Sequence, residues 1–133
     1  MPSMKAVNSP KVALPPPNTW SNCKVYGNQF FISGMTARNA QNEIDGKGSM
    51  YEQSKVVFTK IKNLVEAAGG KMNDVIKVNI YVTNIRQREE VWKARAEVFT
   101  GEFPCSTLVQ VAALATPETW VEIEAVGFIG GGA

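Results

Sequence analysis

Phe103-Pro104-Cys105-Ser106-Thr107-Leu108-Val109-Gln110-Val111-Ala112-Ala113-Leu114, followed past Ala115-Thr116-Pro117 by Trp120-Val121-Glu122-Ile123-Glu124-Ala125-Val126, is the stretch whose reading decides the fold. Residue types alternate in both halves, so each reads as a strand, and Pro117 breaks the chain between them. The expectation is two strands joined by a tight connection. In the second strand Val121, Ile123 and Ala125 take one face; Trp120, Glu122 and Glu124 take the other. Alternate side chains of a strand stand on the same side, roughly 7 Å apart. Two carboxylates therefore sit together beside an indole.

Upstream, Asn84 opens a second helix, with Gln87 three residues on and an apolar stripe of Val91, Ala94 or Arg95, Val98 and Phe99; Gly101 ends it. Asp74 to Val82 reads as a strand with Ile76, Val78, Ile80 and Val82 on one face and Lys77, Asn79 and Tyr81 on the other. Before it, Ser49 and Glu52 have capping-box spacing. Val57, Phe58, Ile61, Leu64, Val65 and Ala68 then follow at helical intervals, and Gly69-Gly70 stops the helix. Residues 35–48 read as a polar, solvated loop. Its Asp45-Gly46-Lys47-Gly48-Ser49 lacks the glycine spacing and GK[ST] order of a phosphate loop. Cys23–Tyr26 and Gln29–Ser33 flank Gly27-Asn28 as a hairpin, and Ser33-Gly34 ends its second strand. Residues 1–19, with Pro10 and Pro15-Pro16-Pro17, read as an extended arm. It is either a free tail or a strap that delivers Trp20 to a groove.

The order β-β-α-β-α-β-β, two helices on one face of a single mixed sheet, predicts an α+β domain over residues 1–133. The second sheet face is left uncovered, carrying either Thr107, Val109 and Val111 or Leu108 and Leu114. An apolar open face implies an oligomer.

The chain has 133 residues, 44% hydrophobic and 20% charged, which fits an ordinary globular protein. Its net charge of +2 is small and its basic residues are scattered, so no nucleic-acid partner is expected. No apolar run reaches the roughly 18 residues of a membrane span, and Met1–Pro17 has no signal-peptide core. A cytoplasmic protein without a membrane partner is expected. There is no histidine, which excludes Ser-His-Asp and Cys-His nucleophile systems and histidine-containing zinc sites. Cys23 and Cys105 stand far apart without a CxxC neighbour, so two free thiols are expected. No metal or cofactor is expected. Any chemistry falls to carboxylates, hydroxyls, amides, a thiol, Lys or Arg.

Ile32-Ser33-Gly34, Val65-Glu66-Ala67-Ala68-Gly69-Gly70, Asp74-Val75-Ile76-Lys77, Phe103-Pro104, Val109-Gln110-Val111-Ala112-Ala113-Leu114 and Val121-Glu122-Ile123-Glu124-Ala125 occur in this order. With these the chain, from about residue 20 to 128, resembles the Rid family (reactive intermediate deaminases, also called YjgF or RidA proteins). The resemblance implies a chorismate-mutase-like fold and a homotrimer whose sheets line a central barrel. It also implies clefts between subunits that bind small carboxylates. Its best-studied members hydrolyse enamines and imines such as 2-aminoacrylate and 2-iminopropanoate to 2-keto acids and ammonia.

Carried over residue by residue, the resemblance makes Glu122 the group that positions the attacking water, and Ser33-Gly34 the backbone that cradles the ligand. The family's Pro-Ala-Arg-Ser becomes Pro104-Cys105-Ser106-Thr107, so Ser106 stands where an arginine clamps the substrate carboxylate. A neutral hydroxyl does not replace a bidentate cation. Trp20 falls near the family's tyrosine, or that tyrosine has no match, and Trp92 falls at its helix-two asparagine.

Each candidate also has a plainer reading. Glu122 positions water or transfers a proton, with Glu124 raising its proton affinity, or the two are solvated strand carboxylates. Cys105 is a cleft thiol or a small buried hydrophobe. Ser106 lines the cleft, and without a base it is a poor nucleophile. Trp92 and Trp20 are cleft walls or packing residues. Arg38, Arg86, Arg88 and Arg95 are surface charges, unless one supplies the missing cation from a new position. The leading expectation is a hydrolase or deaminase acting on an imine, enamine or related C–N bond. The alternative is a non-catalytic trimer that binds a small ligand or plays a regulatory part. An endoribonuclease or translation-inhibiting role is the weaker third.

Overall fold

The computed structural model describes residues 3–132. Strands β1 (Lys5–Val7), β2 (Cys23–Tyr26), β3 (Gln29–Met35), β4 (Val75–Val82), β5 (Cys105–Gln110) and β6 (Val121–Phe128) form one sheet in the order β1-β2-β3-β6-β4-β5. Only β4 and β5 pair in parallel. Helices α1 (Met50–Ala67) and α2 (Arg88–Ala96) cover one face, the α+β arrangement expected.

Local signals account for most element ends. Tyr26 pairs with Gln29 across Gly27, whose φ of 61° supplies the left-handed first position of a two-residue hairpin turn. Ser49 caps α1 by accepting a 3.0 Å bond from the Glu52 N–H. Gly69, at φ 95°, closes α1: its N–H reaches the Glu66 carbonyl and that of Gly70 reaches Val65, a Schellman motif.

Inside, Phe30, Ile32, Val78, Ile80, Ile123 and Ala125 of the sheet meet Val57, Phe58, Ile61, Leu64 and Val65 of α1 and Val91 and Ala94 of α2. Each large side chain so buried stabilises the fold by roughly 1.5–3 kcal/mol. Asp74, 4% exposed, clasps the other end of the chain: its carboxylate accepts from the N–H groups of Lys71, Gly130 and Gly132.

Several expectations are corrected. β5 and β6 are not neighbours: β4 lies between them, parallel to β5 and antiparallel to β6. β5 ends at Gln110, so residues 111–120 form a long connection rather than a tight turn. Alternation alone does not name a strand's partner, and a β4-α2-β5 crossover makes those two strands parallel. In β4 the register slips between Val75 and Lys77. This bulge buries Val75 and leaves Ile76 50% exposed, the reverse of simple alternation. A second slip between Ile32 and Met35 makes Ser33-Gly34 a bulge inside β3 rather than its end. Asn84 caps a short 3-10 turn (Ile85–Gln87) ahead of α2, and α2 stops at Ala96, before Gly101. Residues 35–48 are not wholly solvated: Ala37 and Ile44 are buried. The N-terminal segment contributes β1 and buries Val12.

The other sheet face is open. It carries Phe31 from β3, Tyr81 from β4, Thr107 and Val109 from β5, and Glu122, Glu124 and Val126 from β6. Leu108 instead packs towards the core.

Candidate active site

The Ser33-Gly34 bulge builds the first half of the site. Two tethers tie the preceding arm to it. The Ser33 N–H donates to the Asn22 carbonyl at 2.9 Å, and the Ser33 hydroxyl donates to the Ser21 carbonyl at 2.5 Å. Asn22, itself buried, donates to the Ala13 carbonyl and accepts from the Trp20 indole N–H at 3.3 Å. The arm is thus a strap, and it sets Trp20 over the bulge.

Opposite stands Glu122. Its carboxylate fills the space directly over Gly34, where any Cβ would collide with Oε2. Trp20, Ser33, Gly34, Thr36, Arg38, Ala115 and Glu122 line an open cavity of about 370 Å³. Burial, and then the charge of Glu124, push the Glu122 pKa above the usual carboxylate range. Glu124 is held otherwise. One of its oxygens accepts from Asn79 Nδ2 at 3.1 Å and from Tyr81 Oη at 2.8 Å. The Tyr81 pKa is raised, chiefly by that bond and then by burial. The two carboxylates therefore have separate environments: Glu124 is hydrogen-bonded, while Glu122 is left to the cavity.

Two side chains brace this half. Gln53, fully buried on α1, donates to the Glu118 carbonyl and accepts from the Trp120 N–H, both at 2.9 Å, which holds the approach to β6. Lys60 donates to the carbonyls of Thr36 (2.7 Å) and Arg38, the segment that carries Arg38 to the cavity wall. Burial, then the Arg38 charge, lower the Lys60 pKa to about 8.

The remaining candidates stand elsewhere. Ser106 lies on the helix side of β5, level with Val78, and accepts a 3.0 Å bond from Arg95 Nη1. Arg95 lies against Trp92, 6.0 Å from the ring centroid. Cys105 is exposed on the open face, level with Lys77. So within one chain Trp20, Ser33, Gly34 and Glu122 come together, while Ser106 and Trp92 form a second cluster on the opposite sheet face. Both cysteines are free, and burial pushes the Cys23 thiol up to about 11. Among the described residues no group of His, Cys, Asp or Glu is placed to hold a metal, and no helix is long and apolar enough to cross a membrane.

The sequence named Arg38 and Arg95 only among four arginines, without choosing between them. Arg38 shares the Glu122 cavity, and Arg95 reaches Ser106. The signal for Arg95 was present in its spacing three residues after Trp92. Nothing local distinguishes Arg38, because the bulge and the Lys60 contacts that place it are tertiary.

The chain is similar to known proteins over nearly all its length. It is 32% identical over 124 residues to a 2-iminobutanoate/2-iminopropanoate deaminase of Dermatophagoides farinae, covering 93% of this chain and 96% of the relative. The crystal structure of PA3499 from Pseudomonas aeruginosa, a protein of unknown function, superposes with a TM-score of 0.88 at 36% identity, covering 97% of this chain and 94% of that one. The crystal structure of RidA from the Antarctic bacterium Psychrobacter sp. PAMC 21119 gives a TM-score of 0.83 at 29% identity over 94% and 99% of the two chains. The family model described as Endoribonuclease L-PSP matches residues 10–129. This chain belongs to that family, the YjgF/Rid family.

Proposed function

We propose that the protein hydrolyses the C–N bond of a small imine or enamine, with Glu122 handling the water. The observation that carries this reading is the Glu122 carboxylate itself. It lines a cavity with the Ser33-Gly34 backbone, and burial and Glu124 raise its proton affinity. A base of that kind accepts the proton of a water as the water oxygen adds to the C=N carbon, while the nitrogen takes up a proton. The carbinolamine so formed loses ammonia and leaves a carbonyl compound. Because imines hydrolyse readily, positioning one water against one electrophile supplies much of the rate. The similarity to an iminobutanoate/iminopropanoate deaminase supports 2-imino acids as the substrate class.

The open sheet face supports a homotrimer as the working assembly. Phe31 is 46% exposed and Val109 41% exposed, and both lie on that face. Packing the face against other copies buries it and makes neighbouring subunits the natural partners for each half of the site. Light scattering checks the mass; a monodisperse monomer contradicts this assembly.

The activity test is release of 2-keto acid from freshly generated 2-iminopropanoate and 2-iminobutanoate. Turnover above the buffer rate, lost in Glu122→Gln, is expected. Rates equal to the protein-free control across both imines sink the hydrolase reading. The presence of Ser106 at the clamp position favours the second reading, a trimer that binds small carboxylates without turning them over. Binding without turnover in the same assay supports it.

A further inference from the structure

A second cavity, of about 410 Å³, lies between the N-terminal strap, the 37–45 loop and α1. Its walls are tied in place. The Val12 N–H donates to the Ser9 carbonyl and Asn22 Nδ2 donates to the Ala13 carbonyl, which fixes the strap. Arg38 bridges to Ile44, and the Asp45 N–H donates to the Ala37 carbonyl, which fixes the loop. The volume falls within the roughly 300–1,000 Å³ of small-ligand sites.

Four cations line this space, Lys11, Arg38, Lys55 and Lys60, against two carboxylates, Asp45 and Glu52. Arg38 and Lys60 are half-buried, and the other four are exposed. Asp45 is already engaged, since one of its oxygens accepts from Asn39 Nδ2 at 3.0 Å. An ammonium has three N–H donors. Lys60 gives one to the Thr36 carbonyl and one to the Arg38 carbonyl, so a third remains. Burial, then the Arg38 charge, disfavour the Lys60 ammonium, and Asp45 offsets them only in part. Two like charges at one half-buried wall, with a donor to spare, favour an incoming anion.

We propose that Lys60, Arg38, Lys55 and Lys11 form a second ligand site, which takes a small phosphate monoester. The phosphate oxygens accept from Lys60 Nζ and the Arg38 guanidinium at the inner wall, and the exposed Lys11 and Lys55 meet its outer oxygens from the strap and from α1. Four cations less two carboxylates leave an excess of two positive charges. A phosphate monoester carries about −1.5 to −2 near neutral pH and three strong acceptor oxygens, which matches that excess; a lone carboxylate leaves one cation unanswered. Arg38 also lines the Glu122 cavity, so the two sites share one wall. This assignment goes beyond the hydrolase reading and holds whether or not Glu122 turns a substrate over.

The test is calorimetric titration of the full-length protein with glycerol 3-phosphate, using glycerol as the uncharged control. Binding of the ester, competition by inorganic phosphate and no binding of glycerol are expected. Lys60→Met weakens binding about tenfold or more, as loss of a charge-assisted hydrogen bond does. Lys60→Arg retains part of the affinity, which separates loss of the cation from damage to the fold. The Lys11→Met, Lys55→Met double variant alters only exposed side chains. It weakens binding a few-fold and decides the matter should Lys60→Met unfold. Lys62→Met, exposed on α1 outside the cavity, and Glu122→Gln leave binding unchanged. Several results overturn the proposal: no binding of the ester, equal affinity for glycerol, or unchanged affinity in both the Lys60→Met and the double variant. Abolition of binding by Glu122→Gln also overturns it, because the ester then belongs in the other cavity. So does a loss in Lys62→Met as large as in the double variant, because the anion then senses only net charge. Failure of imine turnover with ester binding intact rejects the hydrolase reading and leaves this one standing.

Discussion

The Glu122 carboxylate occupies the space that a side chain at Gly34 would need, so the acid and the bulge beneath it form one fitted unit. Gly34→Ala is expected to displace Glu122 and lower kcat at least tenfold, with destabilisation of about 1–3 kcal/mol from overpacking. Steady-state kinetics and thermal melting of the same preparation check this. Unchanged kcat shows that the fitted contact is irrelevant to turnover.

Glu122→Gln is expected to lower turnover by about 10²–10⁴-fold, the range for a lost general base. The pH profile carries a sharper prediction. A base with a raised pKa loses activity as pH falls through that raised value. Glu124→Gln removes the neighbouring charge, so the acid limb moves to lower pH. A limb that stays in place rules out Glu122 as the titrating base.

Stability has the opposite sign. The folded pKa of Glu122 lies above its unfolded value, so the contribution is fully present below the unfolded pKa and lost as pH rises through the folded one. At neutral pH the ionised acid weakens the fold, and Glu122→Gln is expected to melt higher than the unaltered protein. The gain disappears below the usual carboxylate range. Melting curves at neutral and strongly acidic pH distinguish this from a uniform effect.

Asp74 behaves in the reverse way. Burial pushes its pKa up, but the N–H groups of Gly130, Gly132 and Lys71 outweigh it and hold the pKa below the ordinary value. Its contribution is present above the unfolded pKa and is lost as pH falls through the folded one. Asp74→Asn is expected to destabilise by about 1–3 kcal/mol at neutral pH, with the difference shrinking in acid. Urea unfolding at both pH values measures it.

Lys60 offers a test at the alkaline end. With its folded pKa lowered to about 8 from 10.5, the unfolded chain binds the extra proton between those values, so stability rises with pH across that window. Lys60→Met lacks this rise. The variant also leaves the Thr36 and Arg38 carbonyls without their donor, so its kcat is expected to fall with the position of Arg38. Unfolding curves that run parallel from pH 8 to 10.5 contradict the assignment.

Much of this protein is legible from the sequence alone. Alternation in residues 121–126, helical spacing in 57–68 and the glycines at 27 and 69 determine which residues form strands, which face is buried and where α1 ends. These are local effects of backbone sterics and side-chain period. The pairing of Glu122 with Ser33-Gly34 was legible only through the family resemblance, since they are far apart in the chain. The tertiary structure alone decided that β4 separates β5 from β6, that bulges at Ser33-Gly34 and at Val75–Lys77 reset the faces, and that Arg95 meets Ser106. Strand order and register depend on which distant segments bury one another's apolar faces, and no short window of sequence contains both partners. The same physics put Glu122 over a glycine and Arg95 beside a serine, on opposite faces of one sheet.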